Sequence, residues 1–202
     1  NIILNMGLNL ACNEICQRVG AYSYVQTAKN ILLRTALYYC IDIQKKGTDE
    51  FGVINDLIHH LKNVLKHVKS PVTYKVNGRA LHMIRLQKID NDYLETNLEE
   101  IRDFMELYNI YGIIHWIRHS DCNGSLDSIK AEEVIKTLQI TVKPSMQYFI
   151  EEEDTTDFNH LKYLFGFDHV DEKLSGEEIV EKYYLYNVFN ESIKSGEDII
   201  FC

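Results

Sequence analysis

The stretch Ala21–Gln44, AYSYVQTAKNILLRTALYYCIDIQ, decides the fold class. Ile31, Leu32, Thr35, Leu37, Tyr38 and Ile41 recur at helical spacing and make a broad apolar face, so the segment reads as a core helix. Ser23 followed by Gln26 has the pattern of a capping box at its start.

Working outward from this helix, Asp49 stands as the N-cap of a second one that runs to about Lys69. Its inward positions are Val53, Leu57, Leu61, Val64, Leu65 and Val68, with His59, His60 and His67 on the same segment. Ser70-Pro71 stops it, because proline disfavours the helical conformation of the residue before it. Residues 72–86 are β-prone and flank Asn77-Gly78, the dipeptide best suited to a tight turn, which predicts a small hairpin. From Asn97 to His119 the apolar positions Ile101, Phe104, Met105, Tyr108, Tyr111, Ile114 and Ile117 predict one long helix through the centre of the fold.

Beyond it, Asp127 caps a helix over Ser128–Leu138 that turns Ala131, Val134, Ile135 and Leu138 inward. Glu151-Glu152-Glu153-Asp154 marks a solvated boundary. Ser175 and Glu178 form a capping box for a last helix to about Lys194, Gly196 ends that helix, and Ile199-Ile200-Phe201 is a short terminal strand. The expected fold is mainly α: a single compact helical domain over residues 1–202, with a minor β element made of the hairpin near 72–86 and short terminal strands.

Composition fits that reading. At 202 residues the chain can enclose one sizeable core, and with two prolines and ten glycines it favours long elements over many short strands. The formal charge of −9 argues against nucleic acid as a partner, since phosphate neutralisation needs clustered Lys and Arg. The five cysteines, Cys12, Cys16, Cys40, Cys122 and Cys202, are odd in number and scattered, which suits a reducing cytoplasm rather than a disulfide framework. Cys12 and Cys16 have i, i+4 spacing and read as isolated thiols. No stretch has the roughly 18 consecutive apolar residues of a membrane helix.

One segment concentrates chemistry: His119-Ser120-Asp121-Cys122-Asn123-Gly124-Ser125-Leu126-Asp127. Read as a calcium loop starting at His119, it puts Asp121, Asn123, Gly124, Leu126 and Asp127 where positions 3, 5, 6, 8 and 9 require them, but His119 and Lys130 replace the two terminal carboxylates. Starting at Asp121 recovers Glu132 at position 12 and places Leu126 where the turn glycine belongs. A tight turn that caps the next helix explains the same residues. His115 and His119 stand one helical turn apart, the spacing for a shared zinc ion with Asp121 or Cys122 as further ligands, although the glutamate of His-Glu-x-x-His is missing. Cys122, beside His119 and Asp121, is the candidate reactive thiol. The candidate metal set is therefore His115, His119, Asp121, Asn123 and Asp127, for calcium or zinc. The leading expectation is that no cofactor is bound.

Met6-Gly7-Leu8-Asn9-Leu10, Val19-Gly20-Ala21-Tyr22-Ser23-Tyr24, the His119–Leu126 phrase and Ile199-Ile200-Phe201-Cys202 together resemble a group of small bacterial and bacteriophage proteins. That group opens with Met-Gly-Leu-Asp and carries His-Ser-Asp-Cys-Asp-Gly-Glu-Leu-Ser-Pro-Glu-Glu. Asn123 and Asp127-Ser128-Ile129-Lys130 depart from it and remove acidic ligands. The resemblance implies no activity, and it implies that Met6 is the natural start with 1–5 upstream of it. No phosphate loop, nucleophile elbow or dinucleotide fingerprint is present. The sequence thus predicts a cytoplasmic, non-catalytic protein-interaction module with a protein partner. The rival readings are a metal-assisted hydrolase built on His115, His119 and Asp121, and a structural calcium loop.

Overall fold

In the computed structural model, residues 7–67, 74–76, 79–81, 96–118, 124–151, 155–166 and 171–202 are described. The chain begins with a β-hairpin, β1 (Gly7–Cys12) and β2 (Ile15–Ala21), and its register sets Ala11 opposite Cys16 and Cys12 opposite Ile15. Cys12 and Cys16 are therefore strand residues on either side of a turn, not successive turns of a helix. Period two explains it: Leu8, Leu10 and Cys12 point inward and are buried, while Asn9 and Ala11 alternate with them. Asn13, at the turn, has a φ of 53°, a conformation asparagine tolerates.

β2 passes straight into α1 (Tyr22–Lys46), with Ala21 extended at the N-cap and contributing no side-chain bond. Ser23 thus lies inside the helix, and the expected capping box does not set its start. Strand pairing up to Ala21 does. At the other end Gly47 adopts the left-handed conformation, and the N–H groups of Gly47 and Thr48 return to the carbonyls of Gln44 and Ile43.

The second helix, α2 (Ile54–His67), begins later than the sequence suggests. Asp49 still organises its approach, because its carboxylate accepts the N–H of Gly52 at 3.0 Å and of Ile54 at 3.2 Å, and the Tyr108 hydroxyl donates to it. The expected hairpin forms as β3 (Tyr74–Val76) and β4 (Arg79–Leu81), pairing Val76 with Arg79 across a two-residue connection. Asn77-Gly78 itself lies outside the described residues.

The long helix expected over 97–119 is broken. Residues 96–100 are helical, then come α3 (Arg102–Leu107) and α4 (Gly112–Ile117). Asn109 sits at φ 55°, its N–H bonds the Glu106 carbonyl and the Ile110 N–H bonds that of Met105. This is a Schellman stop, with Ile110 packing at the position where the motif wants an apolar contact to Met105; both side chains are fully buried.

The centre belongs instead to α5 (Ser128–Glu151), which packs against α1, α4 and the two C-terminal helices. It runs well past Leu138 because Thr141, Val142, Ser145, Met146 and Phe149 are all buried, and that burial carries the helix through β-branched residues and Pro144. A buried pair of hydroxyls, Thr35 on α1 and Thr141 on α5, meets at 3.1 Å. α6 (Thr155–Phe165) follows. The expected C-terminal helix is two: α7 (Gly176–Val180) and α8 (Tyr186–Ser195), separated by a turn from which the Tyr184 N–H reaches the Leu164 carbonyl. The Ser175–Glu178 capping box forms in both directions, and Gly196 closes α8 in the left-handed conformation.

Two short strands complete the sheet, β5 (Ser125–Leu126) and β6 (Ile199–Phe201), in the order β2-β1-β6-β5. The terminal strand thus joins the amino-terminal hairpin to the residues just after the His119 loop. The protein is mainly α with a small antiparallel sheet, and its buried apolar residues form one contiguous core. Among the described residues no helix is long and apolar enough to cross a membrane.

Candidate functional site

Gly112 opens α4 and determines how closely that helix meets α5. A Cβ there would lie 2.1 Å from the Glu133 carbonyl oxygen and 2.6 Å from the Thr137 hydroxyl, so only glycine permits this approach. One turn on, His115 is brought to Glu133, with Nε2 2.6 Å from the carboxylate. The imidazole is 15% exposed and the carboxylate 51%. Tyr111 stands edge-on to the His115 ring at 5.4 Å.

The same tyrosine gathers the charges of this face. Arg118 donates to its hydroxyl at 3.2 Å and pairs with Glu99, whose carboxylate also accepts from the Tyr111 hydroxyl. Arg102 lies over its ring at 5.1 Å and pairs with Glu106 at 2.7 Å. Burial, ahead of these charges, raises the Tyr111 pKa and keeps the phenol neutral. Between α3, α4 and α5 is a cleft of about 310 Å3 lined by Glu106, Asn109, Tyr111, Gly112, Glu133, Lys136 and Thr137.

The segment singled out by its sequence follows α4 in the chain. His119, Asp121, Cys122 and Asn123 fall outside the described residues. His115 and Asp127 border that stretch, and both are engaged. Asp127 accepts the Lys130 N–H at 2.9 Å and pairs with the Lys130 ammonium at 2.7 Å, which makes it the N-cap of α5. The Lys130 ammonium, then its N–H, then the nearby His115 hold the Asp127 carboxyl below the usual range. Gly124, at φ 140°, fixes the far end of the loop to the sheet, its carbonyl accepting the Phe201 N–H at 3.0 Å.

Lys130, which would take the terminal ligand position of one calcium register, is in fact the partner of Asp127 in the cap. Among the described residues no three His, Cys, Asp or Glu side chains are grouped to hold a metal. Of the described cysteines, Cys12, Cys16, Cys40 and Cys202 are free thiols. Burial raises Cys40 to about 12, and it raises Cys12 as well, which makes both poor nucleophiles.

Glu133, Arg118 and Glu99 are not among the residues the sequence singles out, and Tyr111 enters there only as an apolar position of a helix. Glu133 is eighteen positions from His115, so no local spacing joins them. Only Gly112, a glycine opening an apolar helical stretch, hinted at a close approach. In comparisons with known proteins, the chain matches no family model, no curated protein and no solved structure.

Proposed function

We propose that this chain is a non-catalytic interaction protein of the cytoplasm that receives a protein partner on the α3–α4–α5 face. The observation that carries this reading is the state of the two described candidate ligands: His115 Nε2 is bonded to Glu133, and both Asp127 oxygens are bonded to Lys130. Side chains committed in this way tie α4 to α5 and cap α5.

Exposed apolar side chains on α3 and against its C-cap residue Tyr108 add support. Leu107 is 42% exposed beside Glu106, and Phe51 is 48% exposed with its ring edge-on to Tyr108 at 5.3 Å. Exposed apolar side chains near charged residues have the make-up of an interface. Glu106 and Glu133 outnumber Lys136 among the charges lining the cleft, so the fitting partner presents Lys or Arg there. Nucleic acid is disfavoured by the same acidic character.

The test is capture from a bacterial extract with three immobilised forms: wild type, Leu107→Glu, and Lys62→Glu on the exposed side of α2 as control. A protein held in stoichiometric amount by wild type and Lys62→Glu, lost with Leu107→Glu and released by salt, is the expected outcome. A partner retained by Leu107→Glu would move the interface elsewhere. No partner at all, together with a reaction abolished by His115→Ala, would replace this reading with an enzyme.

A further inference from the structure

The amino-terminal hairpin carries a second surface, independent of the α3–α4–α5 face. In the sheet order β2-β1-β6-β5, β2 is an edge strand, and among the described residues it pairs only with β1. Cys12 and Ile15 close a two-residue turn, the place in a hairpin where opposed residues exchange their backbone hydrogen bonds. Bonded and non-bonded pairs then alternate along the strands. Cys16, opposite Ala11, therefore turns its N–H and C=O away from β1 and towards the open edge.

The side chains along this edge have a pattern. Cys16 and Arg18 are exposed, whereas Ile15 and Gln17 are partly buried and Val19 is buried. Glu14, exposed in the turn, continues the same spacing of two. Cys16 is a free thiol. Neither Glu14 nor Arg18 makes an ion pair or hydrogen bond among the described residues, and the Arg18 guanidinium lies beside Gly7 of β1. In extended chain the two are about 13 Å apart, too far to pair with each other. A charge on an edge strand ordinarily discourages pairing with another chain. Here the charges are opposite in sign and equally spaced about Cys16, so an antiparallel strand of the same sequence sets Glu14 against Arg18 and Arg18 against Glu14.

We propose that the β2 edge receives a second copy of this chain, the two β2 strands pairing antiparallel about a two-fold axis at Cys16 so that both sheets join into one. A two-fold interface must be complementary to itself, and the Glu14–Cys16–Arg18 pattern meets that condition. A contact confined to one short edge buries less than the roughly 800 Å2 per partner of a stable complex. The dimer is therefore weak and reversible.

The experiment is sedimentation equilibrium of the full chain up to about 1 mM, with wild type, Glu14→Arg, Arg18→Glu and an equimolar mixture of the two variants. Wild type is expected to dimerise. Each variant alone sets like charges opposite each other at both ends of the contact, which raises the dissociation constant about tenfold or more. Mixing the two variants restores association, because every charge again meets its opposite; this recovery also shows that both variants are folded. A wild type that stays monomeric, single variants that associate as wild type does, or a mixture that fails to recover each overturns the proposal. Crosslinking gives a second readout in a Cys122→Ser, Cys202→Ser background. Directly opposed residues have Cα atoms about 5.5 Å apart, within disulfide range, so diamide, which takes up the two electrons and two protons of the thiols, should join Cys16 to Cys16 of the second copy. Adding Arg18→Glu should suppress that product, and equal crosslinking with and without it contradicts the assignment.

Discussion

His115 and Trp116 are consecutive residues of α4, and the two sides they face make the instructive comparison. On the His115 side, the charges of Glu99, Arg102, Glu106, Arg118 and Glu133 are paired, at a partly exposed seam. On the Trp116 side, the indole is fully buried in the apolar core, its ring edge-on to Phe201 at 6.5 Å. Solvent explains the difference in consequence. A surface pair in water is worth roughly 0–1 kcal/mol because the unpaired alternative is well hydrated. In the core that alternative does not exist, so each hydrogen bond there counts for more and each unmet one costs more.

The largest effect that would break this comparison is at Gly112, which holds the seam together from beneath. Gly112→Ala should destabilise the protein by about 3 kcal/mol, since the added Cβ meets the backbone of α5 rather than a movable side chain. The measurement is the denaturant midpoint, and retention of wild-type stability would mean that α4 and α5 are not so closely packed.

Next is Asp127. Asp127→Ala should cost about 1 kcal/mol through loss of the α5 cap. The charge can be isolated with Asp127→Asn, which keeps a capping side chain. Because the carboxyl is held below its ordinary value in the folded state, the unfolded chain takes up the proton first. The contribution is therefore complete above the unfolded aspartate pKa of about 3.9 and is lost as pH falls through the lower folded value. Asp127→Asn should flatten the acid limb of stability against pH, while leaving the neutral region near that of wild type.

The smallest effect is expected at the pair most prominent in the site. Glu133→Gln should cost less than about 1 kcal/mol, because Glu133 is half exposed and solvent replaces much of what the pair supplies. A loss of several kcal/mol, measured by the same unfolding midpoint, would place the His115 pair among the buried interactions and erase the contrast with Trp116.

What could be read from the sequence followed local physics. The core face of α1, the Ser175–Glu178 box, the Gly196 stop, the 74–81 hairpin and Asp127 as a cap all depend on residues within a few positions of one another. Failures came where distant packing decided. Leu8, Leu10 and Cys12 alternate, and the strand they form pairs locally with β2 but gains its second neighbour only from Phe201 and Ile200 at the other end of the chain. α5 continues through Pro144 because α1 and the C-terminal helices cover its face. The long apolar pattern breaks at Asn109, whose left-handed conformation the apolar residues on both sides conceal. Of the candidate site, the sequence pointed to His115 and Asp127, and Lys130 lies within one turn of Asp127, but the partner of His115, Glu133, became visible only once the helices were placed.

The most direct test of the reading that His115 and Asp127 are spent inside the chain is elemental analysis of untagged protein, paired with thermal unfolding in calcium, zinc and chelator. The account predicts no stoichiometric metal and an unfolding midpoint that none of the three additions moves. Stoichiometric calcium or zinc that disappears in Asp121→Ala, with a stabilisation of about 3 kcal/mol or more on adding it back at a hundredfold excess over its dissociation constant, would contradict it.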